Sequence, residues 1–154
     1  MNSTQTLLQR ADIAVFSVNN SLQLIIEIAT KKNTASDWAV TRRQDLFAHK
    51  GLPSSPFFML VLPDQIYLWV NANEDLQQKP DYQLETTAVL GTSLAADLPS
   101  ISEYGLAIIT RSWLNMLIVA DLSVADFKPD KLWLFKSGLY NAIKRGSVAS
   151  DTYL

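Results

Sequence analysis

Apolar positions fall into short blocks in the first half of the chain and into helical periods in the second. Ala11-Asp-Ile-Ala-Val-Phe16 and Leu22-Gln-Leu-Ile-Ile-Glu-Ile28 read as two strands. Asn19-Asn20 lies between them, and asparagine tolerates the positive φ of a two-residue type I′ turn. With that turn, paired residue numbers sum to 39, so Phe16 faces Gln23, Ala14 faces Ile25 and Asp12 faces Glu27. Directly opposed residues share a sheet face with Cβ atoms about 4.5–5.5 Å apart. A three-residue loop would shift the register by one and separate the acidic pair.

A polar break, Lys31-Lys-Asn-Thr-Ala-Ser36, precedes a helix expected from Asp37 to about Lys50. Ser36 suits its N-cap, and Gly51 and Pro53 suit its end. Trp38, Arg42, Leu46 and His49 follow one line of this helix; Arg43, Phe47 and Lys50 follow the next. Pro56-Phe-Phe-Met-Leu-Val-Leu62 is continuously apolar, which predicts a strand covered on both faces. Pro63-Asp-Gln65 predicts a tight turn into a further strand, Ile66-Tyr-Leu-Trp-Val70. Residues 71–83 read as a surface loop, Leu84 to Ala96 as a helix, and Tyr104 to Asp121 as the strongest helix. Leu132-Trp-Leu-Phe135 suggests a short strand or an extended segment. Ser137 can cap a last helix, Gly138 to Arg145, closed by Gly146.

This order predicts an α/β fold of one domain over residues 1–154. Its central mixed sheet holds 11–16, 22–28 and 56–62, with helix 37–50 as a parallel crossover. Residues 1–9 and 147–154 are expected to be flexible tails.

Composition narrows the chemistry. The chain of 154 residues is 48% hydrophobic and 18% charged, enough for a core and, with that apolar fraction, for a homodimer interface. Its net charge of −2 gives no general attraction to nucleic acid, so any such contact needs a local basic patch. No cysteine is present, which excludes disulfides, thiolate metal sites and a cysteine nucleophile, and one histidine excludes multi-histidine metal centres. The first ten residues lack the features of a signal peptide, and no stretch suits a membrane span. A cytoplasmic protein is the expectation.

Two opposed carboxylates repel unless a proton or a cation relieves them. Mg²⁺ is one such cation; solvated or salt-bridged surface is the plainer alternative. An acidic residue entering one strand followed by Glu-x-Lys or Asp-x-Lys on the next resembles the signature of PD-(D/E)xK nucleases. Ala11-Asp12-Ile-Ala-Val is similar to their first motif strand, and Leu24-Ile-Ile-Glu27-Ile-Ala29 to their second. Trp38-Ala39, Arg42-Arg43, the run from Pro56 to Pro63 and Ser137-Gly-Leu-Tyr-Asn-Ala-Ile143 resemble a group of small bacterial members. The resemblance spans roughly residues 10–145.

The resemblance implies a restriction-endonuclease-like fold, a central mixed sheet flanked by helices. It also implies Mg²⁺ held by Asp12 and Glu27, DNA as substrate, and a lysine that orients water and stabilises phosphate charge. The family lysine should stand two residues after Glu27, where this chain has Ala29. Lys31 is the nearest replacement on the same strand face, about 13 Å from Glu27. Arg10, opposite Ala29 in the same register, is a second candidate and could act only electrostatically. Arg42, Arg43 and Lys32 are candidates for phosphate contact. Five Lys/Arg residues stand against Asp37 and Asp45 between residues 31 and 50.

The plainer readings are a solvated Lys31-Lys32 loop, helix arginines paired with neighbouring carboxylates, His49 at a helix end, and tryptophans in the core. The family fold also places a helix and a strand before the first motif strand, where only ten residues precede Ala11. These features imply a degraded nuclease. The alternatives are an inactive interaction module or a homo-oligomeric scaffold on the same fold.

Overall fold

The computed structural model describes residues 10–72, 75–91 and 98–154. Strands β1 (Arg10–Phe16) and β2 (Leu22–Ile28) form the expected hairpin, with Ile13 opposite Ile26, Ala14 opposite Ile25 and Val15 opposite Leu24. Those pairs keep the sum of 39. The turn is different. Ser17 N donates to Ser21 O at 2.8 Å, leaving Val18-Asn19-Asn20 as a three-residue loop, and Asn20 takes the left-handed conformation at φ 64°. Phe16 therefore faces Leu22, not Gln23. An irregularity between Val15 and Phe16 absorbs one residue of β2 and restores the register before Asp12 is reached.

Helix α1 (Ser36–Lys50) crosses to β3 (Phe57–Val61), which pairs parallel with β2. Its N-cap is Ala35, with no side-chain cap bond, instead of Ser36. Its end is as expected: Gly51 is left-handed at φ 61°, and its N–H bonds Phe47 O at 2.9 Å. Every residue of β3 is buried, as its unbroken apolar run requires. β4 (Gln65–Val70) returns antiparallel beside it.

Three expectations need correction. The segment expected as one helix from Leu84 begins as β5 (Tyr82–Glu85), an edge strand on β4. Tyr82 and Leu84 pack on the core while Gln83 and Glu85 face solvent, a period of two. Only Thr86–Leu90 is helical (α2), and residues 92–97 of that reading lie outside the described residues. Leu132–Lys136 is a helix, α4, instead of a strand. Residues 147–153, expected as a loose tail, form β6 (Ser147–Tyr153), antiparallel to β1. The expected tail at 1–9 lies outside the described residues.

The result is an α/β fold with one mixed sheet of six strands in the order β5-β4-β3-β2-β1-β6. On one face Ile13, Val15, Ile26, Met59 and Leu68 meet α3 (Glu103–Val119), α4 and α5 (Leu139–Ile143). On the other, Ile25, Phe58, Leu60 and Trp69 meet Ala39 and Leu46 of α1. Arg43 is buried beneath α1, 1% exposed, with its guanidinium 5.3–5.7 Å from the rings of Phe47, Phe58 and Trp69. Among the described residues no helix is long and apolar enough to cross a membrane.

Gly146 joins α5 to β6 where no side chain fits. A Cβ there would stand 1.8 Å from Phe16 O and 2.9 Å from Ile143 O, both backbone atoms. Gly146→Ala must push β6 away from β1. We expect it to cost at least about 2 kcal/mol in urea unfolding. A midpoint equal to that of the unmodified protein would show that β6 does not dock as described.

Candidate functional site

Asp12 and Glu27 close the hairpin against each other. Asp12 N donates to Glu27 Oε2 at 2.7 Å, and Ile28 N donates to Asp12 Oδ2 at 2.9 Å. Each carboxylate thus satisfies a backbone donor on the opposite strand, outside the regular ladder. The second oxygen of each faces one cation. Lys50 Nζ, from the last residue of α1, donates to Glu27 Oε1 and lies 3.4 Å from Asp12 Oδ1. Glu27 is 1% exposed, whereas the Asp12 and Lys50 side chains are 28% and 29% exposed.

The electrostatics follow from that burial. Desolvation pushes the Glu27 carboxyl above its usual 4.5, and the Asp12 charge pushes it further. The hydrogen bond from Asp12 N and the Lys50 ammonium pull it back without cancelling the rise. Burial alone would lower the Lys50 ammonium, but its hydrogen bond to Glu27 and the charges of Glu27 and Asp12 outweigh that and hold it above 10.5.

The other sequence candidates are placed around this triad. Ala29 extends β2, its N–H bonding Val61 O at 3.1 Å, and supplies no charge. Lys31 and Lys32 are exposed beyond the end of β2. Arg10 does not serve the site: its Nε donates to Asp151 of β6 at 2.6 Å, and the two are ion-paired. Arg43 lies within the α1–sheet interface and donates to Asp75 O at 3.3 Å, so it is not presented to a phosphate. Arg42 is half-buried and lines an open cleft with Ala29, Lys31 and Trp38.

Lys50 is the residue of this cluster that the sequence reading missed. Its signal was the helical line it shares with Arg43 and Phe47. That line faces the sheet, as the Phe47–Phe58 ring contact at 5.4 Å shows.

Among the described residues no group of three or more His, Cys, Asp or Glu side chains converges as a metal site. The donor set fits Mg²⁺ more narrowly. Two hard carboxylate oxygens already converge on a cation, and Mg²⁺ is commonly held by one or two carboxylates with water and substrate phosphate completing its shell. Asp12 and Glu27 would hold it, with the flexible Lys50 side chain giving up its place between them. No protein-family model, curated protein or solved structure matches the chain.

Lys50→Met leaves two facing carboxylates without their cation. Near neutral pH we expect a loss of about 2 kcal/mol, below the range for a fully buried pair because Lys50 and Asp12 are partly solvated. The sign of its pH dependence is fixed. Glu27 is raised, so its proton favours the folded state; that stability is full below 4.5 and is lost as pH rises through the folded value. Removing Lys50 raises Glu27 further, so the deficit should shrink as pH falls toward 4.5. Lys50 stabilises below 10.5, and its contribution goes as pH rises through its own raised value. Urea unfolding of both proteins across this range checks the prediction, and a deficit independent of pH refutes the coupling.

Proposed function

We propose that this chain is a PD-(D/E)xK-type nuclease-like protein whose cation comes from the crossover helix instead of the second motif strand. Its reaction is metal-dependent hydrolysis of DNA phosphodiesters. The observation that carries the reading is Lys50 Nζ lying against both Asp12 Oδ1 and Glu27 Oε1. The motif's two carboxylates are then complete with a lysine despite Ala29. A second support is topological: the hairpin β1–β2, the crossover helix α1 and the parallel strand β3 follow in the order expected of a restriction-endonuclease-like fold.

In this reading Asp12 and Glu27 would hold Mg²⁺, which would supply a Lewis acid for the phosphate and activate water for attack. Lys50, displaced within the reach of its flexible stem, donates to the phosphate oxygen on which charge develops. The backbone bonds from Asp12 N and Ile28 N keep both carboxylates oriented during that exchange. Arg42 meets the adjacent phosphate. The competing reading is an inactive interaction module, in which Lys50 permanently neutralises the pair. It is favoured by the absence of a third acidic ligand among the described residues.

Cleavage of labelled DNA with Mg²⁺ or Mn²⁺ decides between them. We expect slow cleavage that chelation stops and Glu27→Ala abolishes. Lys50→Met should slow it by about 10²–10³, the usual cost of a lost preorganised donor. Ala29→Lys in that background should restore part of the rate. Cleavage that survives Glu27→Ala would place the active site elsewhere. No cleavage by the unmodified protein, with no Mn²⁺ binding, would establish the module reading.

A further inference from the structure

Helix α3 is apolar on two opposite sides. Leu106, Leu114, Leu117 and Ile118 are buried in the core. On the other side Tyr104, Ile108, Ser112, Met116 and Val119 follow one line along the whole helix. Tyr104 is 77% exposed, Ile108 38%, Met116 71% and Val119 78%. Among the described residues the other exposed large hydrophobic side chains are Val18 and Val124, so α3 holds most of them. An apolar helix face left in water marks a surface that a partner covers. Between Tyr104 and Ala120 the one charged residue is Arg111. Its guanidinium donates to Ser150 Oγ of β6 at 2.9 Å, beside the line instead of on it. Next to Met116 the apolar surface continues into a cleft lined by Trp113, Ala120, Leu122 and Phe127.

We propose that this face of α3 pairs with the same face of a second copy of the chain, antiparallel across a two-fold axis at Ser112. The line reads alike in both directions. Ile108 and Met116 stand four residues either side of Ser112, Tyr104 eight before it and Val119 seven after it. An isologous interface needs such a self-complementary surface. The pairing sets Tyr104 against the partner's Val119 and Ile108 against the partner's Met116, each contact made twice. At the axis the small Ser112 lets the helices approach to the roughly 8–10 Å of ordinary packing. With its one arginine turned to β6, the face offers little to an acidic protein or an anionic lipid headgroup, which favours an uncharged face like its own. The area agrees. At roughly 150–200 Å² for a large side chain, the four apolar residues expose about 450 Å² per copy and about 900 Å² per pair. Ser112, Asn115 and the rim of the Trp113 cleft bring a pair to about 1,200 Å², the lower bound of stable interfaces. The dimer is therefore weak, with a dissociation constant of the order of 10 µM. It does not depend on the nuclease reading.

Sedimentation equilibrium tests it. The mass should rise from 17.2 kDa toward twice that value between about 1 and 300 µM protein. Added NaCl should not weaken association, because no ion pair crosses the face. Met116→Glu and Val119→Glu each put a charge in the interface and should raise the dissociation constant by about tenfold or more. Both side chains are exposed in the single chain, so melting of dilute protein should stay unchanged, which separates lost pairing from lost folding. The chain has no cysteine, so Ser112→Cys supplies a single thiol. Mild oxidation should cross-link that variant into a reducible dimer, because the axis brings both thiols together. Lys136→Cys, exposed on α4, should resist the same treatment. A mass of 17.2 kDa at every concentration overturns the proposal. So does a dimer that neither glutamate weakens, or one that Ser112→Cys cross-links no faster than Lys136→Cys, since either result places the interface elsewhere.

Discussion

Burying the Glu27 carboxylate beside Asp12 is the constraint on which the rest of the structure turns. A carboxylate 1% exposed, facing a second carboxylate, is unfavourable unless donors and a cation surround it. The hairpin supplies one donor to each carboxylate, Asp12 N to Glu27 and Ile28 N to Asp12, and α1 supplies the cation through Lys50. Both contributions require fixed geometry. The strand register must hold at residue 12, and the crossover helix must end within reach of the hairpin.

The position of α1 is consequently an electrostatic matter as well as a packing one. The helix has no side-chain N-cap bond, and its buried residues are Ala39, Arg43 and Leu46. Arg43 stands among Phe47, Phe58 and Trp69 and reaches Asp75 O. Its burial depresses its own basicity, partly offset by the Asp75 charge, yet a guanidinium stays charged under such a shift. One buried cation thus holds the helix that presents another. Gly51 stops the helix directly after Lys50, so the ammonium is carried by the last turn.

Much of this was legible in the sequence where one period or one residue type decides. The apolar run of β3 and the amphipathic α3 were of that kind, as was the glycine end of α1. The Asp12–Glu27 register was reached through a turn that does not exist. The three-residue loop shifts the pairing, and the irregularity at Phe16 shifts it back. Nothing local in Val18-Asn19-Asn20 announces that compensation. β6 was hidden because Ser147-Val-Ala-Ser-Asp-Thr-Tyr153 has almost no apolar alternation; it is a strand because β1 offers an unpaired edge. Lys50 was hidden because helical spacing gives its line but not which side of the sheet that line meets.

Splitting each carboxylate between two tasks has a chemical consequence. Asp12 Oδ2 and Glu27 Oε2 are committed to backbone donors, so the hairpin stays tied whatever cation occupies the other two oxygens. The pair and Lys50 together carry a formal charge of −1, and Glu27 remains raised with the ammonium in place. A single lysine therefore leaves the buried acid short of positive charge. A divalent ion at the same oxygens would lower Glu27 more than the ammonium does, because its charge is doubled at similar range. The two oxygens that face the ammonium thus differ from the two that tie the hairpin, so the cation and the strand pairing are held by separate atoms of the same carboxylates.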